Sequence, residues 1–408
     1  MNGVNPVAFT IFTKNYLAQA RCLAESIRQS QAQLPLVALL VDDPSVFFDP
    51  QSESFEILRL TDLSIPDARA LVFETDQQGA CCLLKPFMLR HLLARGFSPV
   101  VFLDPDILVL DPLEELIETA GGAAISLTPN WLTPRTGADA PRDELRMLLG
   151  GTFNGGVLAV SDRPQALAFL SWWETRLRIH CRHAPAEGVH YDQRWLDLVP
   201  SLFDEVHVLR DPGLNVAYWN LAERSLRLEG GRAYVEGDVC RAFHFSGYSP
   251  AAPDRMTRFE EFALPPVSMA AAAPLFDAYR EALLRNGWSE ASRWPYSAAT
   301  FDNGVHIAPI VREIYRRLRS RIDFGDPFDC SGPASFYNYL CSCAEDRSAP
   351  RLWKEIHERR PDLQAAFPDI DGNDLERFAN WVRIQGEVEL AIPRAMIDAC
   401  AHASACAI

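Results

Sequence analysis

Asp104 and Asp106 stand two residues apart in the run Pro99-Val-Val-Phe-Leu-Asp-Pro-Asp-Ile-Leu-Val-Leu110. In extended backbone, residues i and i+2 face the same side, so both carboxylates can reach one cation. Pro105 fixes its own φ and keeps Asp104 extended, which holds that geometry without further contacts. Hard oxygen ligands suit Mg²⁺ or Mn²⁺, and such an ion keeps coordination positions for phosphate oxygens. A strand running into a solvated acidic turn has the same sequence. The pair therefore needs its neighbours to decide its chemistry.

Those neighbours come in a fixed order along the chain. Asn15-Tyr16 follows a first apolar run, and Lys85 precedes the acid pair. Phe153-Asn154-Gly155-Gly156-Val157, Tyr191-Asp192-Gln193 and Phe243-His244-Phe245-Ser246-Gly247 come after it. Other nucleotide and acyl chemistries lack their signatures. No G-x-G-x-x-G follows the first strand, no GxxxxGK[ST] occurs, and no G-x-S-x-G elbow is present.

The elements that must position these residues alternate. Short apolar runs at 6–12, 35–41, 55–60, 100–103, 123–127 and 156–160 read as strands. Between them, 15–29, 83–93, 113–119 and 164–177 read as helices. Continuous apolar strands alternating with helices predict an α/β fold, a mostly parallel sheet covered on both faces. Ligands of such sheets sit at the carboxyl ends of strands, where the acid pair falls. A stretch of Pro and Ala near 263–274 marks a change of character, and 311–320, 352–359 and 375–384 beyond it read as helical. These features predict domains at 1–262 and 263–408, the second mainly helical.

Bulk composition narrows the partners. The chain has 408 residues and a formal charge of −15, which argues against nucleic acid as a partner because phosphate backbones demand basic surface. No apolar run is long enough for a transmembrane segment, and the N-terminus lacks the pattern of a secretory signal. The 10 cysteines are scattered, without a CxxC and His set, which predicts reduced thiols in a cytoplasmic protein.

With these segments in this order, the chain resembles the metal-dependent nucleotide-sugar glycosyltransferases of the GT-A fold, which have a single Rossmann-like domain. Within them it is most similar to the retaining family 8, which includes bacterial galactosyltransferases and glycogenin. The resemblance covers roughly residues 6–250. It implies that Asp104, Asp106 and His244 ligate Mn²⁺ or Mg²⁺, and that the ion grips the diphosphate of a nucleotide-sugar donor, typically a UDP-sugar. It implies that Thr13 and Asn15 lie near the nucleoside, and Lys85 near the diphosphate and sugar. Asn154 would occupy an N-x-G turn in which Gly155 and Gly156 let backbone approach the ligand. Asp192 would hold sugar hydroxyls, Gln193 would lie under the anomeric carbon, and Gly247 would close the His-x-x-Gly turn at the donor. The acceptor would be a glycan, a lipid-linked molecule or a protein.

One departure stands out. The family commonly places a lysine soon after the His-x-x-Gly turn, whereas here no cation occurs before Arg255 and Arg258. More loosely, Leu214-Asn-Val-Ala-Tyr-Trp-Asn220, Phe301-Asp-Asn-Gly304, Phe324-Gly-Asp-Pro-Phe328, Arg360-Pro-Asp-Leu363 and Phe367-Pro-Asp369 resemble a bacterial subgroup with a helical C-terminal extension.

Each residue also has a structural alternative. His244 between two phenylalanines can be a core histidine, and Asn154-Gly155-Gly156 a plain turn. Lys85 can be a solvated charge, and Asp192 the cap of a helix running to Val199. Arg312, Arg316 and Arg317 fit a solvated helix face, or a site for an acceptor phosphate. Two rival functions remain on these residues. One is an aspartyl-phosphate phosphatase, whose downstream acidic pair is missing apart from an isolated Gly325-Asp326. The other is a non-catalytic nucleotide-sugar-binding protein.

Overall fold

A computed structural model describes residues 5–259, 266–344 and 348–406. The chain divides into two compact units: unit 1 comprises Met1–Ile65 and Gln78–Tyr296, and unit 2 comprises Pro66–Gln77 and Ser297–Ile408. The helix Pro266–Arg285, which follows the composition change near 263, belongs to unit 1.

Unit 1 is built on strands β1 (Val7–Phe12), β2 (Leu36–Leu40), β3 (Glu56–Arg59), β4 (Val100–Leu103), β5 (Ile107–Val109), β6 (Ile125–Pro129), β7 (Phe153–Val160), β8 (His183–Ala184), β9 (Val189–His190), β10 (Val206–Val208), β11 (Val216–Ala217), β12 (Leu226–Glu229), β13 (Arg232–Val235), β14 (Asp238–Val239) and β15 (Ala242–His244). Seven of them form one sheet in the order β10-β6-β7-β4-β1-β2-β3. All neighbours in it run parallel except at β7, which is antiparallel to both β4 and β6. Every residue of β1, β2 and β4 is buried. That burial is the reason their sequences lack polar alternation. The helix Leu17–Ser30 places Leu17, Ala20, Leu23, Ala24 and Ile27 against the sheet. The expected α/β class, a mostly parallel sheet with helices on it, is what the chain adopts.

A second sheet, ordered β11-β15-β5, decides where the chemistry goes. β15 pairs antiparallel with β5, setting His244 opposite Ile107. Its strands are 2 or 3 residues long, too short for any periodicity in sequence.

Some expectations need correction. The helix expected over 83–93 is two helices, Gln77–Leu83 and Lys85–Ala94. The strand expected from 156 begins at Phe153, so Asn154, Gly155 and Gly156 lie within β7 and form no turn. The register of β6 against β7 shifts between Leu127 and Thr128, which bends the pairing beside Asn154.

Unit 2 is helical, with Pro309–Leu318, Phe336–Cys341, Arg351–Glu358, Leu375–Leu390 and Arg394–Cys406 as main elements. Phe73 sits inside a ring of aromatics, with Tyr315, Phe328, Phe301 and Phe336 at centroid distances of 4.8, 5.0, 5.6 and 5.8 Å. Arg312 is buried and donates to the Phe73 and Ala298 carbonyls; Arg316 donates to the Glu74 carbonyl. Neither is the solvated charge that helical spacing suggested. Arg317 is exposed and pairs with Glu355.

Candidate active site

β4 runs into Asp104 at its carboxyl end, and the Asp104 N–H donates to the Gly156 carbonyl at 2.9 Å, tying it to β7. The Asp106 carbonyl accepts from the Phe245 N–H at 2.9 Å, just beyond β15. These two main-chain bonds, with the β5–β15 pairing, bring position 244 to positions 104 and 106 across more than a hundred residues of sequence. His244 Nε2 lies 3.1 Å from Asp106 Oδ1 and 3.7 Å from Asp104 Oδ2. One ligand atom from each of the three residues falls within 4.8 Å of the others. The imidazole is 4% exposed, whereas the side chains of Asp104 and Asp106 are 29% and 20% exposed. The group therefore opens toward solvent on its carboxylate side.

Two oxygen donors and one nitrogen fit Mg²⁺ or Mn²⁺ in ligand type, the nitrogen favouring Mn²⁺. Gly156 supports the same reading. A Cβ at this position would stand 2.5 Å from Asp104 Oδ2 and 2.6 Å from His244 Cε1. Only glycine leaves the acid and the ring where they are. Asp106 is held below the ordinary carboxylate range, because the His244 charge and hydrogen bond outweigh burial. Burial pushes Asp104 upward against Lys85 and His244. His244 is raised despite burial, chiefly by Asp106.

Lys85 is 3% exposed and not a surface charge. Its Nζ donates to Asp192 Oδ2 at 2.7 Å and to the Gly155 carbonyl at 2.8 Å, and lies 3.9 Å from Asp104 Oδ1. It also sits 4.4 Å from the centre of the Phe102 ring. Burial opposes its charge, but the Asp192 and Asp104 carboxylates raise its pKa. Asp192 occupies the N-cap position of the helix Gln193–Leu196 yet makes no capping hydrogen bond. Its carboxylate turns to Lys85 instead, so the structural alternative for Asp192 fails. Gly155 packs against it: a Cβ there would lie 2.8 Å from Asp192 Oδ2.

Gln193 is held at both ends of its carboxamide. Its Oε1 accepts from the Gly155 N–H at 3.1 Å and from Asn154 Nδ2 at 3.3 Å, and its Nε2 donates to the Gly150 carbonyl at 2.9 Å. Asn154 Oδ1 accepts from the Gly156 N–H at 2.9 Å. One short stretch of β7 thus touches Asp104, His244, Asp192, Lys85 and Gln193.

Thr13 and Asn15 follow β1, the neighbour of β4, on the same carboxyl edge; the Thr13 hydroxyl donates to Asn15 Oδ1 at 2.7 Å. Between them, Lys14 turns inward and donates to Asp42 Oδ2 at 2.9 Å, joining β1 to the end of β2. Gly247 has φ +75°, and its carbonyl accepts from the Arg258 N–H at 3.0 Å. This bond folds 257–259 back onto the His-x-x-Gly turn.

Three residues of the site carried no assigned role in sequence. Tyr16 is raised by burial and by Asp106, with Arg258 pulling the other way. Arg258 also lowers Asp106. Asn215 Oδ1 lies 3.0 Å from His244 Nδ1. Only the β11–β15 pairing, invisible in sequence, brings Asn215 to that ring.

No family model matches the chain. It is similar to the uncharacterized protein YfnF of Bacillus subtilis (strain 168), 25% identical over 263 residues that span 62% of this chain and 84% of that one. YfnD of the same organism is 22% identical over 246 residues, 59% of this chain and 77% of that one. Among solved structures it is similar to the glycosyltransferase GlyE of Streptococcus pneumoniae TIGR4, with 15% identity, 74% of this chain and 67% of that one covered, and a TM-score of 0.36. It is also similar to the galactosyltransferase LgtC in complex with donor and acceptor sugar analogs (14% identity, 68% and 95% covered, TM-score 0.35). The bifunctional glycosyltransferase WbbM is similar over 71% of this chain and 51% of its own, at 14% identity and a TM-score of 0.42.

Proposed function

We propose that this chain is a metal-dependent glycosyltransferase of the family-8 type, a hexosyltransferase that moves a sugar from a UDP-sugar to an acceptor hydroxyl with retention. The observation that carries the reading is the meeting of Asp104, Asp106 and His244 beside the buried Lys85–Asp192 pair, with Gly155 and Gly156 keeping the space between them open. An ion held by Asp104, Asp106 and His244, Mn²⁺ or Mg²⁺, would supply Lewis-acid stabilisation of the charge growing on the leaving diphosphate.

The protein's own residues do the rest. Thr13 and Asn15 hold the nucleoside. Lys85 adds a permanent positive charge near the diphosphate and fixes Asp192, whose carboxylate holds sugar hydroxyls. Arg258 takes the place of the lysine that the chain lacks after Gly247, an assignment supported by its N–H bond to the Gly247 carbonyl, which folds it back onto that turn. Gln193 lies under the anomeric carbon. A carboxamide is a poor nucleophile, and its Oε1 already accepts two hydrogen bonds. Retention then follows from displacement on one face, the acceptor hydroxyl passing its proton to the leaving phosphate. The acceptor is a glycan, lipid-linked molecule or protein, and the reaction is cytoplasmic.

The phosphatase alternative gains no support: its isolated acid, Asp326, pairs with Arg69 at 2.8 Å. No helix among the described residues is long and apolar enough to cross a membrane.

A thermal-shift screen of nucleotide sugars with and without Mn²⁺ tests the donor. A ligand at a hundred times its Kd stabilises the native state by about 2.7 kcal/mol. UDP-sugars should stand out only with the ion present; no response to any nucleotide sugar would sink the reading. Binding without turnover would instead favour the non-catalytic alternative. An inverted anomeric product by NMR would overturn retention alone.

A further inference from the structure

The main chain of Asn215 adopts φ +55°, the left-handed region that glycine and asparagine enter more readily than other residues. The residue is 0% exposed, and its Nδ2 has no hydrogen-bond partner among the described residues. A buried amide N–H group without a partner costs about 1–3 kcal/mol. A residue kept only for its backbone conformation could equally be glycine, which buries no unpartnered amide. What the side chain does make is one contact, Oδ1 to His244 Nδ1 at 3.0 Å.

We propose that Asn215 is a positioning residue that fixes the tautomer and tilt of His244, so that Nε2 is offered as the metal-ligating nitrogen. The inference rests on the metal-site reading above. A carboxamide oxygen only accepts, so the ring proton of neutral His244 resides on Nδ1 and the lone pair on Nε2. That lone pair points into the space shared with Asp106 and Asp104. Trp219 closes the ring's side, edge-on at 5.3 Å, and opposes rotation.

Asn215 is held in turn. Asn220 Nδ2 donates to the Asn215 carbonyl at 3.1 Å and to the Asn130 carbonyl at 3.3 Å. Asn130 Oδ1 accepts from Asn154 Nδ2 at 3.2 Å, and the same Nδ2 reaches Gln193 Oε1. A run of carboxamides therefore joins the support of His244 to Gln193, and fixes the cation side and the sugar side in one register.

The test uses the full chain and Mn²⁺ alone, with the free aquo-ion followed by electron paramagnetic resonance. Asn215→Gly keeps the left-handed backbone and removes the amide. Mn²⁺ affinity should fall about 10–100-fold, the usual effect of losing a ligand's hydrogen-bond partner. Asn215→Asp, which still accepts from Nδ1, should restore it. In the wild type, ¹⁵N NMR of labelled histidine, taken where the ring is neutral, should place the proton of His244 on Nδ1. Unchanged Mn²⁺ affinity in Asn215→Gly, or a wild-type proton on Nε2, would overturn the proposal. A wild-type chain that takes no Mn²⁺ would overturn the parent reading, and the tautomer would still judge Asn215 without any variant.

Discussion

In unit 1 the buried ammonium of Lys85 faces a space where Asp104, Asp106, Asp192 and His244 converge; in unit 2 the buried guanidinium of Arg312 donates to two main-chain carbonyls, at 2.6 and 2.7 Å. Both are cations removed from water, which is unfavourable unless they are paired. The difference lies in what remains after pairing. Around Lys85, carboxylates at 104 and 106 keep part of their surface open and face one another at close range, an arrangement that a cation would relieve. Around Arg312, the Phe73 ring lies 5.8 Å from the guanidinium, which cross-links backbone. Buried charge marks a candidate site only where like charges converge on open space.

This contrast can be broken most sharply at Asp106. Asp106→Ala should lower transfer from a UDP-sugar by about a thousandfold, the upper range for losing one preorganised electrostatic contact. Circular dichroism should stay that of the wild type. Unimpaired transfer would remove the distinction between the two clusters.

Lys85→Met comes next. It leaves the Asp192 carboxylate buried without its cation, which should cost about 3–5 kcal/mol in urea unfolding. Adding Asp192→Leu should recover much of that stability while transfer stays lost. Recovery of stability without recovery of activity would separate the structural from the functional part of the pair.

Arg312→Ala strands two buried carbonyls, so unit 2 should lose about 2 kcal/mol or more. Metal affinity should not change. If Mn²⁺ binding fell along with stability, the two clusters would not be independent. The smallest effect belongs to Arg317→Ala. Its ion pair with Glu355 is exposed on the arginine side, and the loss should stay within about 0.5 kcal/mol.

Much of unit 1 was legible because its signals are local. The fully buried strands announce themselves as unbroken apolar runs, and the helix 17–30 by the spacing of Leu17, Ala20, Leu23, Ala24 and Ile27. The acid pair was legible from its residue types and close spacing, but the extended backbone expected there is a turn: Asp104, Pro105 and Asp106 lie between β4 and β5, and the Ile107 N–H donates to the Asp104 carbonyl at 3.1 Å. Lys85 was misread by any local rule. A lysine before a proline at a helix start looks solvated, and only Asp192, 107 residues further on, explains its burial. Asn154 looked like a turn, because Asn-Gly-Gly is turn chemistry in isolation. Its place in β7 follows from β4 and β6 on either side, which sequence does not display. Arg312 and Arg316 sat on a helix whose spacing suggested a wet face, and the carbonyls of Phe73, Glu74 and Ala298 reversed that.

Residue types and short spacings thus determined which groups were able to act: two acids on either side of a proline, a histidine, an amide next to an acid, and glycines where backbone must come close. Tertiary structure decided which of them meet. The pairing of β5 with β15 and the antiparallel insertion of β7 are set by burial and hydrogen bonding over the whole sheet. No window of neighbouring residues carries that information.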